Sequence, residues 1–434
     1  MAIDLERISD TLAGADTVRT VGRLRSVTGL AIEADIPGVR LGELCEVERR
    51  GGGEPLLAEV VGFRDHVATL LPYGVAEGLG PDDPVHPADR RLEVAVGDAL
   101  LGRVLDGLGR PIDGGEALEG PRCEVMGPAP APLSRPPIAR RLSLGLRALD
   151  GLVTLGEGQR MGLFAGSGVG KSTLLGQIAR GADADVFVVC LVGERGREVR
   201  DFLDEALGEE GRKRGVVVCA TSDSPPLVRM KCPYVATSIA EGFRDQGKRV
   251  LLLMDSVTRF ARAARDVGLA AGEAPARRGF PPSVLSALPG LVERTGTAER
   301  GSITAVYTVL VEGDDHDDPI ADELRGLLDG HITLSRALAA RGHHPAIDVP
   351  RSLSRVMPRL VEPAHLQAAA AVRAHVAIHE DKRDLVALGA YTRGGDPRLD
   401  AALDRIAAIE AFLQQARDER VAFEDVVAGL ERLV

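Results

Sequence analysis

The sequence predicts an α/β protein built on a doubly wound, largely parallel sheet, preceded by a small β-barrel and followed by a helical tail. Three observations predict this. Apolar runs at 161–165, 186–192, 216–220, 250–254 and 303–311 alternate with helix-like segments at 172–180, 197–207, 235–246 and 257–265. Before them, residues 17–89 hold short β-type runs broken by glycine and proline. After them, residues 363–434 carry Leu, Ile, Val and Ala at three-to-four spacing. The expected division is a barrel over 1–90, an α/β domain over 91–360 and a helical domain over 361–434.

A chain of 434 residues is too long for one core. At 44% hydrophobic and 27% charged, its composition is that of a globular protein, and no apolar run is long enough to span a bilayer. The N-terminus has no basic region followed by an apolar stretch, so no secretory signal is expected. Five scattered cysteines without a Cys-x-x-Cys pair point to a reducing compartment, the cytoplasm, with Cys190 and Cys219 as small core residues. A net charge of −11, no Trp and 3% aromatic residues argue against a nucleic-acid partner.

Within the barrel region nothing has catalytic character. Residues 127–137 are proline-rich and read as a semi-rigid connector. The first α/β strand runs into a glycine-rich turn with the spacing of a phosphate-binding P-loop, Ala165-Gly-Ser-Gly-Val-Gly-Lys-Ser. Gly166, Ser167, Gly168, Val169 and Gly170 offer backbone N–H groups to an anion. Lys171 reaches the outer phosphates, Ser172 offers a hydroxyl to Mg²⁺, and the helix that continues through Thr173 points its positive end at the ligand. Ala165 replaces the first glycine of the pattern, a mild change because that position needs only to be small.

In such a sheet the active site lies beyond the carboxyl ends of the strands. The second run ends in Glu194 and Arg195, and the fourth in Asp255. Asp255 suits a carboxylate that holds Mg²⁺ through water, Glu194 one that orients or deprotonates attacking water, and Arg195 a contact to the outer phosphate. The acidic stretch 312–318 reads as an exposed loop that caps a helix beginning near Pro319. Pro233 reads as a first-turn proline, and Asp396-Pro397 as the start of a late helix. Arg351 and Arg355 are both candidates for an arginine given to a neighbouring site, and composition does not choose between them.

Six motifs in fixed order then carry a resemblance: Gly162–Ser172, Gly193–Arg200, Phe243–Lys248, Leu253–Ala261, Gly279–Val284 and Leu328–Arg336. From about residue 18 to the C-terminus the chain resembles the ATPases of flagellar and virulence type III protein export, which are similar in turn to the catalytic subunits of rotary ATPases. The resemblance implies a RecA-like P-loop core, Mg-ATP hydrolysis and a homohexameric ring. It implies a central stalk, a stator or regulator protein, chaperone–substrate complexes and an inner-membrane export gate as partners, with the chain peripheral at that membrane. By motif it makes Lys171 and Ser172 the phosphate and Mg²⁺ contacts, Glu194 the catalytic carboxylate and Asp255 the Walker B acid. Arg195 becomes a γ-phosphate contact, and Arg355 the finger donated to the adjacent subunit. The loop 312–318 matches the stalk-facing segment. The adenine-stacking aromatic of the rotary relatives matches His344, with Tyr391 as a candidate substitute. Gly-Glu-Arg-Gly-Arg-Glu at 193–198 favours export over a rotary catalytic subunit, and acidity disfavours an RNA-tracking hexamer.

Overall fold

The computed structural model describes residues 20–311 and 318–434. One compact unit closes at Leu92 and takes in Ala270–Glu273; the other holds Glu93–Leu269 and Ala274–Val434.

The first unit is a closed barrel of six strands: β1 (Gly22–Thr28), β2 (Ala31–Asp35), β3 (Leu44–Val47), β4 (Leu56–Arg64), β5 (Val67–Pro72) and β6 (Pro84–Pro87). They close in the order β1-β2-β5-β4-β3-β6. Alternate residues, among them Leu24, Ile32, Ala34, Val47, Ala58 and Leu70, point inward and form the barrel core. Between β4 and β5 the turn residues Asp65 and His66 both have positive φ, 48° and 71°, the combination that joins two strands tightly without splaying them.

The second unit is organised by a sheet of eight strands in the order β14-β13-β8-β12-β11-β9-β10-β7, with Gly296–Thr297 pairing at one side. These are β7 (Val104–Asp106), β8 (Arg160–Ala165), β9 (Val186–Glu194), β10 (Gly215–Thr221), β11 (Arg249–Asp255), β12 (Ser302–Leu310), β13 (Gly330–Thr333) and β14 (Leu353–Ser354). β7 to β13 pair in parallel, while β14 and the short Gly296–Thr297 strand run antiparallel to their neighbours. All nine residues of β9 are buried, which is why it reads as an unbroken apolar run. All five predicted strands are present, and the short strands β7, β13 and β14 towards the two edges are additional.

Helices α1 (Lys171–Gly181), α2 (Gly196–Asp201), α3 (Pro226–Asp245) and α4 (Val257–Ala270) follow β8, β9, β10 and β11. After α2 the backbone continues as a π-helical turn over Phe202–Leu207. α3 begins nine residues before the expected 235, so Pro233 lies inside it, not in its first turn. Pro225-Pro226 supply the start, and Pro233 costs one interior N–H bond. Thr237 Oγ1 donates to the Pro233 carbonyl at 2.7 Å. Two further helices of this region are α5 (Pro282–Val292) and α6 (Pro319–Leu327). Asp318 caps α6 by accepting from Ile320 and Ala321 N–H groups, both at 2.9 Å. The rest of the acidic stretch, 312–317, lies outside the described residues.

The tail folds as α7 (Pro363–Ala387), α8 (Pro397–Leu413) and α9 (Phe423–Glu431). Asp396 caps α8, accepting from Arg398 N–H at 3.0 Å, and Pro397 takes the first helical position. Residues 414–421, between α8 and α9, form a strap against the sheet domain. Gln177 Nε2 on α1 donates to the Ala416 carbonyl at 3.2 Å, and Arg180 Nη2 to that of Arg417 at 3.1 Å. Gln415 N–H donates to the His344 carbonyl at 2.9 Å, and Gln415 Nε2 to that of Gly145 at 2.8 Å. Beneath the strap, the turn 143–145 is held by the buried Asp150 carboxylate, which accepts from Leu144 and Gly145 N–H groups and from Ser143 Oγ. No helix among the described residues is long and apolar enough to cross a membrane.

The last residue of α1 meets this turn without spare room: a Cβ added at Gly181 would lie 2.1 Å from the Leu144 carbonyl oxygen. Gly181→Ala should therefore lower stability by about 2–3 kcal/mol through forced backbone displacement. Gly290→Ala, on α5 with nothing within 4 Å of the added methyl, should be neutral or stabilising by up to about 1 kcal/mol. Thermal melts of the two variants check this, and equal midpoints would contradict the packing described.

Candidate active site

The carboxyl ends of β8, β9 and β12 open into one cavity of about 800 Å³. β8 delivers the chain into the turn 166–170. Gly168 (φ 77°) and Gly170 (φ 91°) take left-handed conformations that a side chain would strain, and Gly170 caps α1. The cavity wall includes Gly166, Ser167, Gly168, Gly170, Lys171, Ser172 and Thr173. Val169 is buried within the turn, 2% exposed, where its side chain packs in the core.

Lys171 lies between two strand-end carboxylates. Its Nζ donates to Asp255 Oδ1 at 2.5 Å and stands 3.6 Å from Glu194 Oε1. Register sets this up: Leu191 of β9 pairs with Asp255 of β11, so β9 runs three residues further and carries Glu194 past the end of its neighbour. Asp255 also accepts from Thr308 Oγ1 of β12 at 2.7 Å, and its peptide bond to Ser256 is cis. Arg259, in the first turn of α4, stands 3.2 Å from Glu194 Oε2 and donates to the Gly193 carbonyl. Glu194 Oε1 is buried with no hydrogen-bond partner among the described residues.

Burial is the main force on Glu194 and pushes its carboxyl up from 4.5 to about 7. A hydrogen bond with Glu198 and the charge of Asp255 push the same way; Lys171 and Arg259 oppose them. The same hydrogen bond holds Glu198 below its ordinary value. Glu194 is thus poised between a proton carrier and a carboxylate near neutral pH, the condition for a general base. The cavity is lined by Lys171, Arg195, Arg229, Arg259, Arg262 and Arg336 against two acids, Glu194 and Glu198. On a chain of net charge −11, this concentration of cations fits a polyanionic ligand.

Arg195 lines the cavity and pairs with Glu198 at 3.6 Å. Asp255 does not line the cavity; it is 3% exposed and reaches the site through its bond to Lys171. Arg355 does not line this cavity: it follows β14, and its guanidinium donates to the Leu328 and Arg325 carbonyls at 3.1 and 3.2 Å. Tyr391 does not line it either. Its hydroxyl donates to Asp400 Oδ1 at 2.9 Å and accepts from Asp396 N–H, which commits it to the turn before α8. His344 is the residue near the P-loop, its Nδ1 4.0 Å from where a Cβ on Gly170 would stand.

Sequence reasoning missed Glu198, Arg229, Arg259, Arg262 and Arg336. One signal was available for two of them. Arg259 sits in a helical first turn and Arg336 opens a helix; there a cation is disfavoured by the helix dipole unless an anion is expected, and Lys171 shares that property.

Three family models match the chain: the ATP synthase alpha/beta family beta-barrel domain over 25–88, its nucleotide-binding domain over 145–354, and the T3SS EscN ATPase C-terminal domain over 361–432. The chain is 52% identical to a type 3 secretion system ATPase of Xanthomonas euvesicatoria, over 98% of this chain and 95% of that one. It is 51% identical to a flagellum-specific ATP synthase of Treponema pallidum, over 97% and 95%. Among solved structures it is similar to the assembled ATPase EscN in complex with its central stalk EscO, from the type III secretion system of enteropathogenic E. coli. That match has a TM-score of 0.88 at 45% identity and covers 95% of this chain and 99% of the other. With its barrel, its P-loop sheet and its helical tail each accounted for, the chain belongs to the type III protein export ATPases of the ATP synthase alpha/beta family.

Proposed function

We propose that the chain is the ATP-hydrolysing motor of a type III export apparatus, working with Mg²⁺ as a ring of six copies and coupling hydrolysis to chaperone release and unfolding of export substrates. The observation that carries the chemistry is Lys171 held between Asp255 and Glu194 at the mouth of a glycine turn. Relatives named for flagella and for secretion systems match at nearly equal identity, so the reading stops at the class they share.

In this reading the backbone of Gly166–Gly170 and the first turn of α1 bind the phosphates. Lys171 leaves Asp255 for the substrate's outer phosphates, which frees the Asp255 carboxylate. Ser172 Oγ and that carboxylate are hard oxygen ligands on one side of the site, and they suit Mg²⁺. When bound, Mg²⁺ neutralises phosphate charge and polarises the γ-phosphoryl group. Glu194 Oε1, buried without a hydrogen-bond partner among the described residues, accepts a proton from the attacking water. Arg259 keeps the Glu194 carboxylate oriented, and Arg195 meets the γ-phosphate. Arg355 is bonded to carbonyls of its own chain away from the cavity, which supports its use in a neighbouring copy's site.

EscN, the relative with a central stalk, supports a stalk partner for this chain as well. The stator or regulator protein, the chaperone–substrate complexes and the inner-membrane export gate are proposed from the family. With them comes a place in the cytoplasm at the inner membrane. No nucleic-acid partner is proposed.

Glu194→Gln should retain nucleotide binding and lose turnover by at least about 10²-fold; near-normal hydrolysis would overturn the assigned role. The same variant tests the raised pKa. The stability held by the protonated carboxyl is complete below pH 4.5 and is lost as pH rises through about 7. Glutamine stays neutral throughout, so the variant should be more stable than the parent at pH 8, by on the order of 1 kcal/mol, and equal to it near pH 4.5. Thermal melts at the two pH values check the sign. Arg355→Ala should fold normally and lose ATPase activity. Mixed rings with Lys171→Ala subunits should regain part of it, and absence of any rescue would count against an arginine acting between copies.

A further inference from the structure

A second cavity, of about 850 Å³, adjoins the first and shares Ala165, Gly166, Val311 and Arg336 with it. Arg336 therefore stands at the neck between the two. It is the first residue of the helix Arg336–Ala340, which Ser335 caps by accepting from Leu338 N–H. Its guanidinium lies directly against the P-loop: a Cβ on Gly166 would be 2.8 Å from Nη2 and 2.9 Å from Nε. That contact explains why position 166 is glycine although its φ is not in the left-handed region.

The other central cations of the site have partners, Lys171 with Asp255 and Arg259 with Glu194. Among the described residues Arg336 has no ion pair and donates no side-chain hydrogen bond. Arg336 is exposed, so its rigid fork of donors faces the two cavities unclaimed by any described acid and open to an anion. Gly166 belongs to the strand end of the loop, beside Ala165, whereas Ser172 and Thr173 lie in the first turn of α1. The outermost phosphate of a bound triphosphate belongs near the strand ends, where Glu194 and Asp255 stand.

We propose that Arg336 is a phosphate-binding residue of this site, supplied by the same chain as the P-loop, and that it contacts the outermost phosphate of ATP. The proposal rests on the reading of the cavity as the ATP site. It gives the chain a cation of its own that distinguishes triphosphate from diphosphate before any neighbour contributes an arginine. It also links loop occupancy to the second cavity, whose wall includes Arg351, Ser352 and Leu353, the residues that lead into Arg355.

The test is equilibrium binding of a non-hydrolysable ATP analogue and of ADP to the full chain, by calorimetry, for the parent, Arg336→Ala, Arg336→Lys and Gly166→Ala. Arg336→Ala should weaken the analogue by about 10-fold or more and leave ADP within about twofold, as expected for one lost charged hydrogen bond. Lysine should recover part of the loss, because it restores charge without the fork. Gly166→Ala should reproduce the triphosphate-selective loss, since its methyl displaces the guanidinium. Equal weakening of both nucleotides, or of neither, in Arg336→Ala would overturn the proposal. So would unchanged analogue binding in Gly166→Ala. A parent chain that binds neither nucleotide would remove the ATP-site reading itself and this inference with it.

Discussion

The ion triad of Lys171, Asp255 and Glu194 is the constraint on which the rest of the second unit depends. All three side chains are largely buried, at 13%, 4% and 10% exposure, so each charge is expensive without the others. They arrive from three sequence-distant segments. Lys171 follows the turn after β8, Asp255 ends β11, and Glu194 overshoots β11 by the register of β9. The parallel sheet is the device that fixes those arrivals, and its continuous apolar strands are the cost of placing three charges at one edge. The arrangement is also unfinished electrostatically: Glu194 is pushed up by burial and keeps an oxygen without a hydrogen-bond partner among the described residues. A site held in that condition gains from a ligand that brings phosphate charge and water.

Much of this was legible in the sequence because the strands are long and buried on both faces. Runs such as 186–192 and 250–254 leave little ambiguity, and an acid closing such a run is conspicuous. The short edge strands were not legible. β13 and β14 have four and two residues, and their pairing comes from neighbours, not from local pattern. Pro233 misled for a related reason: α3 tolerates an interior proline because packing over most of its length outweighs one missing hydrogen bond.

The arginines of the cavity were hidden in a different way. Arg229, Arg259, Arg262 and Arg336 are each a single charge in a chain with 53 Lys and Arg, and only the fold gathers them. Tyr391, a candidate only through the resemblance, has its hydroxyl on Asp400 in the turn before α8. Arg355 was singled out by its motif, and its distance from the cavity gains meaning only when more than one copy of the chain is considered.

The strap at 414–421 gives the tail a mechanical meaning. Its carbonyls receive the side chains of Gln177 and Arg180, and these residues lie on the same rigid helix that begins with Lys171. A helix of this length transmits displacement with little bending, so its two ends form a lever. The strap and the phosphate loop are therefore joined through one helix about 16 Å long, the span of eleven residues at about 1.5 Å each, with the tail bonded near one end and Lys171 at the other.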